Sequence, residues 1–131
     1  MVSIFTRIIQ GDIPCHKVAE TEDFIAFLDV FPLQKGHTLV IPKKEIDYIF
    51  DIEDELLGQM QIFAKKVARA IQSAYPCNRI GVTVIGLEVP HAHIHLIPIN
   101  KESDISFKNE RLEFSDDEMK EIAANIRAEI Q

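Results

Sequence analysis

The chain has 131 residues, 47% of them apolar, which is enough to bury a core and too apolar for a disordered segment. With 14 basic side chains against 21 acidic ones, the formal charge is -7. That argues against a polyphosphate backbone as partner, since binding one needs a basic face, but leaves room for a small nucleotide held by local groups. No apolar run is long enough to span a bilayer, and no basic-then-apolar leader opens the chain, so neither a membrane nor a nucleic acid is expected as a partner. The two cysteines, Cys15 and Cys77, form no close-spaced metal or redox pair; without an export signal they are expected to be reduced thiols in a cytoplasmic setting.

From the amino end, Ile4, Phe5, Ile8 and Ile9 recur at helical spacing, with Ser3 placed to cap and Gly11 to stop a short leading helix. On the residues alone, Phe5 and Ile8 read as packing positions. Gly11-Asp12-Ile13-Pro14 is a turn. Cys15 to Glu20 and Phe24 to Asp29 read as strands joined by the polar Thr21-Glu22-Asp23, an antiparallel hairpin. After a loop containing Pro32 and Gly36, His37 to Pro42 is a third strand. His37 stands at its entrance; taken alone it is more often a surface histidine than a catalytic one.

From about Asp51 to Tyr75 the apolar period becomes helical, with Leu56, Met60, Phe63, Val67, Ala70 and Ile71 on one stripe. The acidic Asp51, Glu53, Asp54 and Glu55 read as a solvated helix start that suits the dipole, not as a metal site. Arg79 to Leu87 and His91 to Ile99 are the last two strands. Beyond Asn100 the chain turns polar, until a capping box at Ser115-Asp116-Asp117-Glu118 opens a terminal amphipathic helix over about 115–131. Helices at the ends of the strand order, not alternating with strands, predict an α+β fold: a five-stranded, mostly antiparallel sheet with one long helix, a short N-terminal helix and a C-terminal helix. No linker or repeat divides the chain, so residues 1–131 are expected to form a single domain with its core in 3–100.

The most informative stretch is Pro90-His91-Ala92-His93-Ile94-His95-Leu96-Ile97-Pro98. In an extended strand, His91, His93 and His95 would share one face and Ala92, Ile94 and Leu96 the other. The second face suits a core, whereas no core needs a row of imidazoles. Such a row can move protons, attack as a nucleophile or bind a metal, and the residues leave all of these open.

His-x-His-x-His followed by two apolar residues, together with Phe27-Leu28-Asp29-Val30-Phe31-Pro32, Gly36-His37-Thr38-Leu39-Val40-Ile41-Pro42-Lys43 and the leading Ile4-Phe5 and Ile8, resembles the histidine triad family of nucleotide hydrolases and transferases. The resemblance covers about residues 3 to 100. It implies a two-fold dimer with a continuous ten-stranded sheet and a purine nucleotide, AMP- or GMP-like, as ligand. By resemblance His93 is the nucleophile, passing through a nucleotidyl-histidine, with His95 and His37 near the phosphate and His91 completing the network. Ile4, Phe5, Ile8, Phe27, Val30 and Leu39 match positions lining a base pocket, Asp29 matches the acid that holds the ribose hydroxyls, and the loop before the triad adds Glu88 and Val89. The implied chemistry needs no metal or other cofactor.

Two departures stand out. Some relatives carry a structural zinc on two cysteines and two histidines; the matching positions here are Ser3, Thr6, Glu45 and His91, so no structural zinc is expected. In the loop before the triad, Leu87 and Glu88 replace a glutamine and a hydroxyl residue that donate near the phosphate. Glu88 either points to solvent or serves a cationic leaving group, by binding it or as its general acid. The sequence therefore supports an enzyme acting through His93. The alternatives are a nucleotide-binding module with weak or no catalysis and a metal-histidine protein using His91, His93, His95 and His37.

Overall fold

Every residue of the strands Phe24–Leu28 (β2) and Thr38–Pro42 (β3) is buried, and all but Thr38 are apolar, a pattern that in an antiparallel sheet requires cover on both faces. In the computed structural model, which describes residues 2–131, that cover comes from different parts of the chain. Met1, the first residue of the expected 1–131 domain, lies outside the described residues. The strands Lys17–Glu20 (β1), β2, β3, Arg79–Thr83 (β4) and Ile94–Ile99 (β5) form one sheet in the order β1-β2-β3-β5-β4, with every pairing antiparallel. This is the expected α+β architecture with its five strands and three helices.

The helix Asp54–Ala74 (α2) covers one face with Met60, Phe63, Ala64, Val67, Ala70 and Ile71. These meet Phe24, Ala26 and Leu28 of β2, Val40 of β3 and Ile94 and Leu96 of β5. The carboxyl-terminal helix Asp116–Arg127 (α3) joins the same cluster through Met119, Ile122, Ala123 and Ile126, so it packs on its own chain. Ser115 and Glu118 form the expected capping box. On the opposite face Ile25, Phe27, Leu39 and Ile41 form a second cluster with Phe5 of the short helix Ile4–Ile9 (α1). Ser3 caps α1 by accepting the Thr6 N–H at 3.1 Å.

Element ends differ from the sequence expectation in instructive ways. β1 starts at Lys17, not Cys15, and α2 starts at Asp54 after a separate 3-10 turn, Ile49–Asp51. β4 stops at Thr83, not Leu87, although Val82 to Ile85 look strand-like. Continuing its register would set Ile85 against His93 and Leu87 against His91. That partner has left the ladder: β5 begins only at Ile94, and the Ala92 N–H donates instead to the Ile46 carbonyl at 2.7 Å. The imidazole row is therefore not one strand face. His95 lies in the sheet, while His91 and His93 precede it.

Candidate functional site: the histidine cluster

Sheet register brings His37 and His95 together. Leu39 lies opposite His95, so His37, two residues earlier on the same face, is the diagonal neighbour. Gly36, with φ 96°, makes the left-handed turn into the strand that a side chain would strain. The Leu33 N–H donates to His37 Nδ1 at 3.0 Å. That nitrogen is thereby an acceptor, and the proton of a neutral ring sits on Nε2. From there it is donated to His95 Nδ1 at 3.0 Å, which in turn puts the His95 proton on its own Nε2. Burial, followed by the neighbouring His95 and Arg111, lowers the His37 pKa from 6.5 to about 3. Burial, then His93 and Arg111, lowers that of His95 to about 4. Both rings are neutral at physiological pH. The Asp29 carboxylate, 3.6 Å from His37 Nε2, is thus a dipolar neighbour of that ring and not its ion-pair partner. Burial raises the Asp29 pKa, against a hydrogen bond from the Phe31 N–H at 2.8 Å.

His91 and His93 are fixed from the other side. His91 Nε2–H donates to the Pro42 carbonyl at 2.7 Å, leaving Nδ1 to accept from the Ser3 hydroxyl at 2.8 Å. His93 Nδ1–H donates to the His91 carbonyl at 2.8 Å, so its unprotonated nitrogen is Nε2. Among the described residues no buried side-chain nitrogen or oxygen lacks a hydrogen-bond partner. The Nε2 atoms of His93 and His95 have none, so they are the accessible edges of two rings that are otherwise 7% exposed. The ring centroids stand 5.0 Å apart. The site therefore presents a lone pair beside an N–H donor.

Ser3, Thr6, Glu45 and His91, the positions matched by resemblance to a zinc set, converge here as a hydrogen-bonded network. Besides the Ser3–His91 bond, the Thr6 hydroxyl and the Ser3 backbone N–H both donate to Glu45 Oε1 at 2.6 Å. Thr6, then Ser3, hold the Glu45 carboxyl down to about 2. Two hydroxyls, a carboxylate and one imidazole are a poor match to the thiolate and imidazole set of a structural zinc. A second trio of ligand types, Asp29, His37 and His95, has its donor atoms within 4.8 Å of one another. Its tautomers oppose a metal: binding one through His37 Nε2 would move the ring proton to Nδ1, where the Leu33 N–H already donates.

The expected base-pocket residues divide. Phe5, Phe27 and Leu39 are buried together, Phe5 and Phe27 edge to face at 5.6 Å. Phe5 also contacts His93 edge-on at 5.0 Å and His91 at 5.8 Å, joining the apolar cluster to the imidazoles. Ile8 and Val89 are partly buried against the same cluster. Ile4 and Val30 are instead exposed, at 49% and 60%. Glu88 is exposed and Leu87 is 89% exposed, so neither is held against the histidines. A hollow of about 420 Å³ between the β1–β2 turn and α2, floored by Phe24, Phe63 and Val67, contains none of the histidines.

Two residues reach the cluster that the sequence reading missed. Phe107 packs edge-on against His95 at 4.9 Å and His37 at 6.4 Å, and Arg111 lies over the Phe107 ring at 5.2 Å. The available sign was an aromatic ring stranded in the polar run after Asn100.

The HIT-domain profile matches residues 10–102. A HIT protein of Bacillus subtilis is 43% identical over 102 residues, covering 72% of this chain and 69% of its own. The adenosine 5'-monophosphoramidase of Schizosaccharomyces pombe is 35% identical over 133 residues, covering 100% of both chains. Among solved structures, a HIT-like protein of Bartonella henselae superposes with TM-score 0.85 at 33% identity, over 97% of this chain and 95% of that one. A zinc-bound histidine triad protein of Mycobacterium smegmatis gives 0.83 at 28% identity, over 97% and 91%. With the profile spanning most of the chain, full-length relatives above 30% identity and the triad arranged as described, this chain belongs to the histidine triad (HIT) family.

Proposed function

We propose that this protein is a nucleotide hydrolase that cleaves a nucleoside phosphoramidate, or a related phosphoanhydride, at the α-phosphorus. The observation that carries the reading is the pair of accessible atoms: the unprotonated Nε2 of His93 beside the Nε2–H of His95. The similarity to the S. pombe monophosphoramidase supports the choice of substrate class. In the first step His93 Nε2 forms a bond to phosphorus and the bond to the leaving amine breaks, the amine taking the electron pair and a proton from solvent. In the second, water adds to phosphorus and loses a proton to solvent, the phosphorus–histidine bond breaks with its electron pair returning to Nε2, and a nucleoside monophosphate is released. His95 Nε2–H donates to a phosphoryl oxygen as charge builds on it, a placement worth several kcal/mol, about 3 per well-set donor. Asp29 accepts the ribose hydroxyls, and a purine base lies on the apolar surface of Phe5, Phe27 and Leu39.

Mass spectrometry of protein incubated with adenosine 5'-phosphoramidate tests this. The expected result is a nucleotidyl adduct on His93 in the wild type and none in His93→Ala; turnover without any adduct on His93 would overturn the mechanism. One observation favours the alternative of a binding module with weak catalysis: Leu87 and Glu88 are both exposed, and they stand where the family resemblance implies hydrogen-bond donors. Equal turnover by wild type and Glu88→Gln would show that Glu88 takes no part. By the same resemblance, a second copy extends the sheet to ten strands; of the two free edges, β1 and β4, we take β4, where Val82 is 57% exposed, and sedimentation of wild type against Val82→Asp reads this out.

A further inference from the structure

The segment that follows the sheet is tied back to the loop carrying Asp29 and His37. After β5 the chain makes a 3-10 turn, Glu102–Ile105, and runs across residues 31–34. The Gln34 side-chain amide donates to the Asp104 carbonyl at 3.5 Å, Arg111 Nη1 donates to the Phe31 carbonyl at 2.7 Å, and the Leu112 N–H donates to the Pro32 carbonyl at 2.8 Å. Between these ties Phe107 presses its edge against His95 and His37 while its face carries the Arg111 guanidinium. Phe107 and Arg111 lie beyond residues 10–102, the part of the chain that the HIT profile matches.

We propose that residues 104–112 are a strap that sets the catalytic geometry, with Phe107 positioning the His95 ring and Arg111 positioning both Phe107 and the Asp29–His37 loop. This rests on the hydrolase reading for its consequence in turnover, though not for its contacts. The hydrogen bond from His37 fixes His95 at Nδ1 only, and a ring held at one edge still swings. Phe107 supplies the second wall. Arginine suits the outer position because its planar, permanently charged group lies flat on an aromatic face while one N–H reaches a carbonyl. The charged or titratable groups around His95 are His37, His93, Asp29 and Arg111. In that company the Arg111 charge also disfavours a proton on either buried ring.

The test uses the full chain with Phe107→Ala, Phe107→Tyr, Arg111→Met and Arg111→Lys. Three readings are taken: kcat and KM on adenosine 5'-phosphoramidate, the pH profile of kcat/KM, and histidine-ring nitrogen NMR. Phe107→Ala is expected to lose about 10- to 100-fold in kcat, with KM within about twofold, because a displaced group costs on this scale. Its His95 ring signals should broaden or split, and Phe107→Tyr should restore both. Arg111→Met should move the acid limb of the profile to higher pH, whereas Arg111→Lys should keep the limb and lose kcat. Unchanged ring signals in folded Phe107→Ala and Arg111→Met would overturn the strap, as would a kcat loss without any change at His95. Should Phe107→Ala fail to fold, the Arg111 pair decides. A wild type without turnover defeats the hydrolase reading instead, and the ring spectra still judge the strap.

Discussion

At the scale of single residues, the site works by assigning protons. Each imidazole has one nitrogen committed to a partner that dictates its tautomer, and only His93 and His95 have an edge left over. Replacing His93 with Asn should therefore cut turnover by at least about 10³-fold, as loss of a nucleophile does, while leaving the thermal midpoint nearly unchanged; steady-state assays and calorimetry check both halves. Ser3 has a quieter role. Removing its hydroxyl leaves His91 Nδ1, fully buried, without its closest donor, a loss of about 1–3 kcal/mol. Urea denaturation of Ser3→Ala should show that loss, and kcat should fall with it, because the His91 carbonyl holds His93. Glu45→Gln should cost less than Ser3→Ala, since the carboxylate is at the surface and an amide oxygen still accepts.

At the scale of elements, six residues are too few for a helix to stand by itself, so α1 depends on what it touches. Phe5 is its anchor, meeting Phe27, His91 and His93. Phe5→Ala should destabilise the fold by about 3–5 kcal/mol and raise KM for the nucleotide, measured by denaturation and initial rates. The same element shows what the sequence reveals. The Ser3 cap, the Phe5 and Ile8 spacing and the terminal capping box are local patterns, and all are legible. The triad is legible as a motif, but its geometry is not. Alternation assumes a continuous strand, whereas here the ladder begins only after His93: His91 turns to Pro42 and Ser3, partners 49 and 88 residues away, and His93 turns back to the His91 carbonyl. The end of β4 is hidden for the same reason, because a strand stops where its neighbour departs. Phe107 and Arg111 are harder still, since they approach the histidines through contacts between distant loops that no periodicity marks.

At the scale of the whole molecule, the buried neutral histidines link folding to pH. His37 and His95 titrate near 6.5 when unfolded but at about 3 and about 4 in the fold. Between those values the unfolded chain binds more protons, so acid favours unfolding there. Stability should be fully present at neutral pH and decline as pH falls below about 6.5, with a further decline below 4.5 as Glu45, held at about 2 in the fold, loses its own contribution. Calorimetry from pH 7 to pH 4 should record a falling midpoint, with a shallower slope in His37→Gln. The network around Ser3 also bears on how the molecule is handled. The Ser3 hydroxyl reaches His91 directly and its amide reaches Glu45, so a purification handle attached beside Ser3 tugs on the reaction centre. One attached beside Gln131 pulls on an exposed residue instead. Two preparations differing only in the location of the handle could thus differ in rate while sharing every residue of the triad.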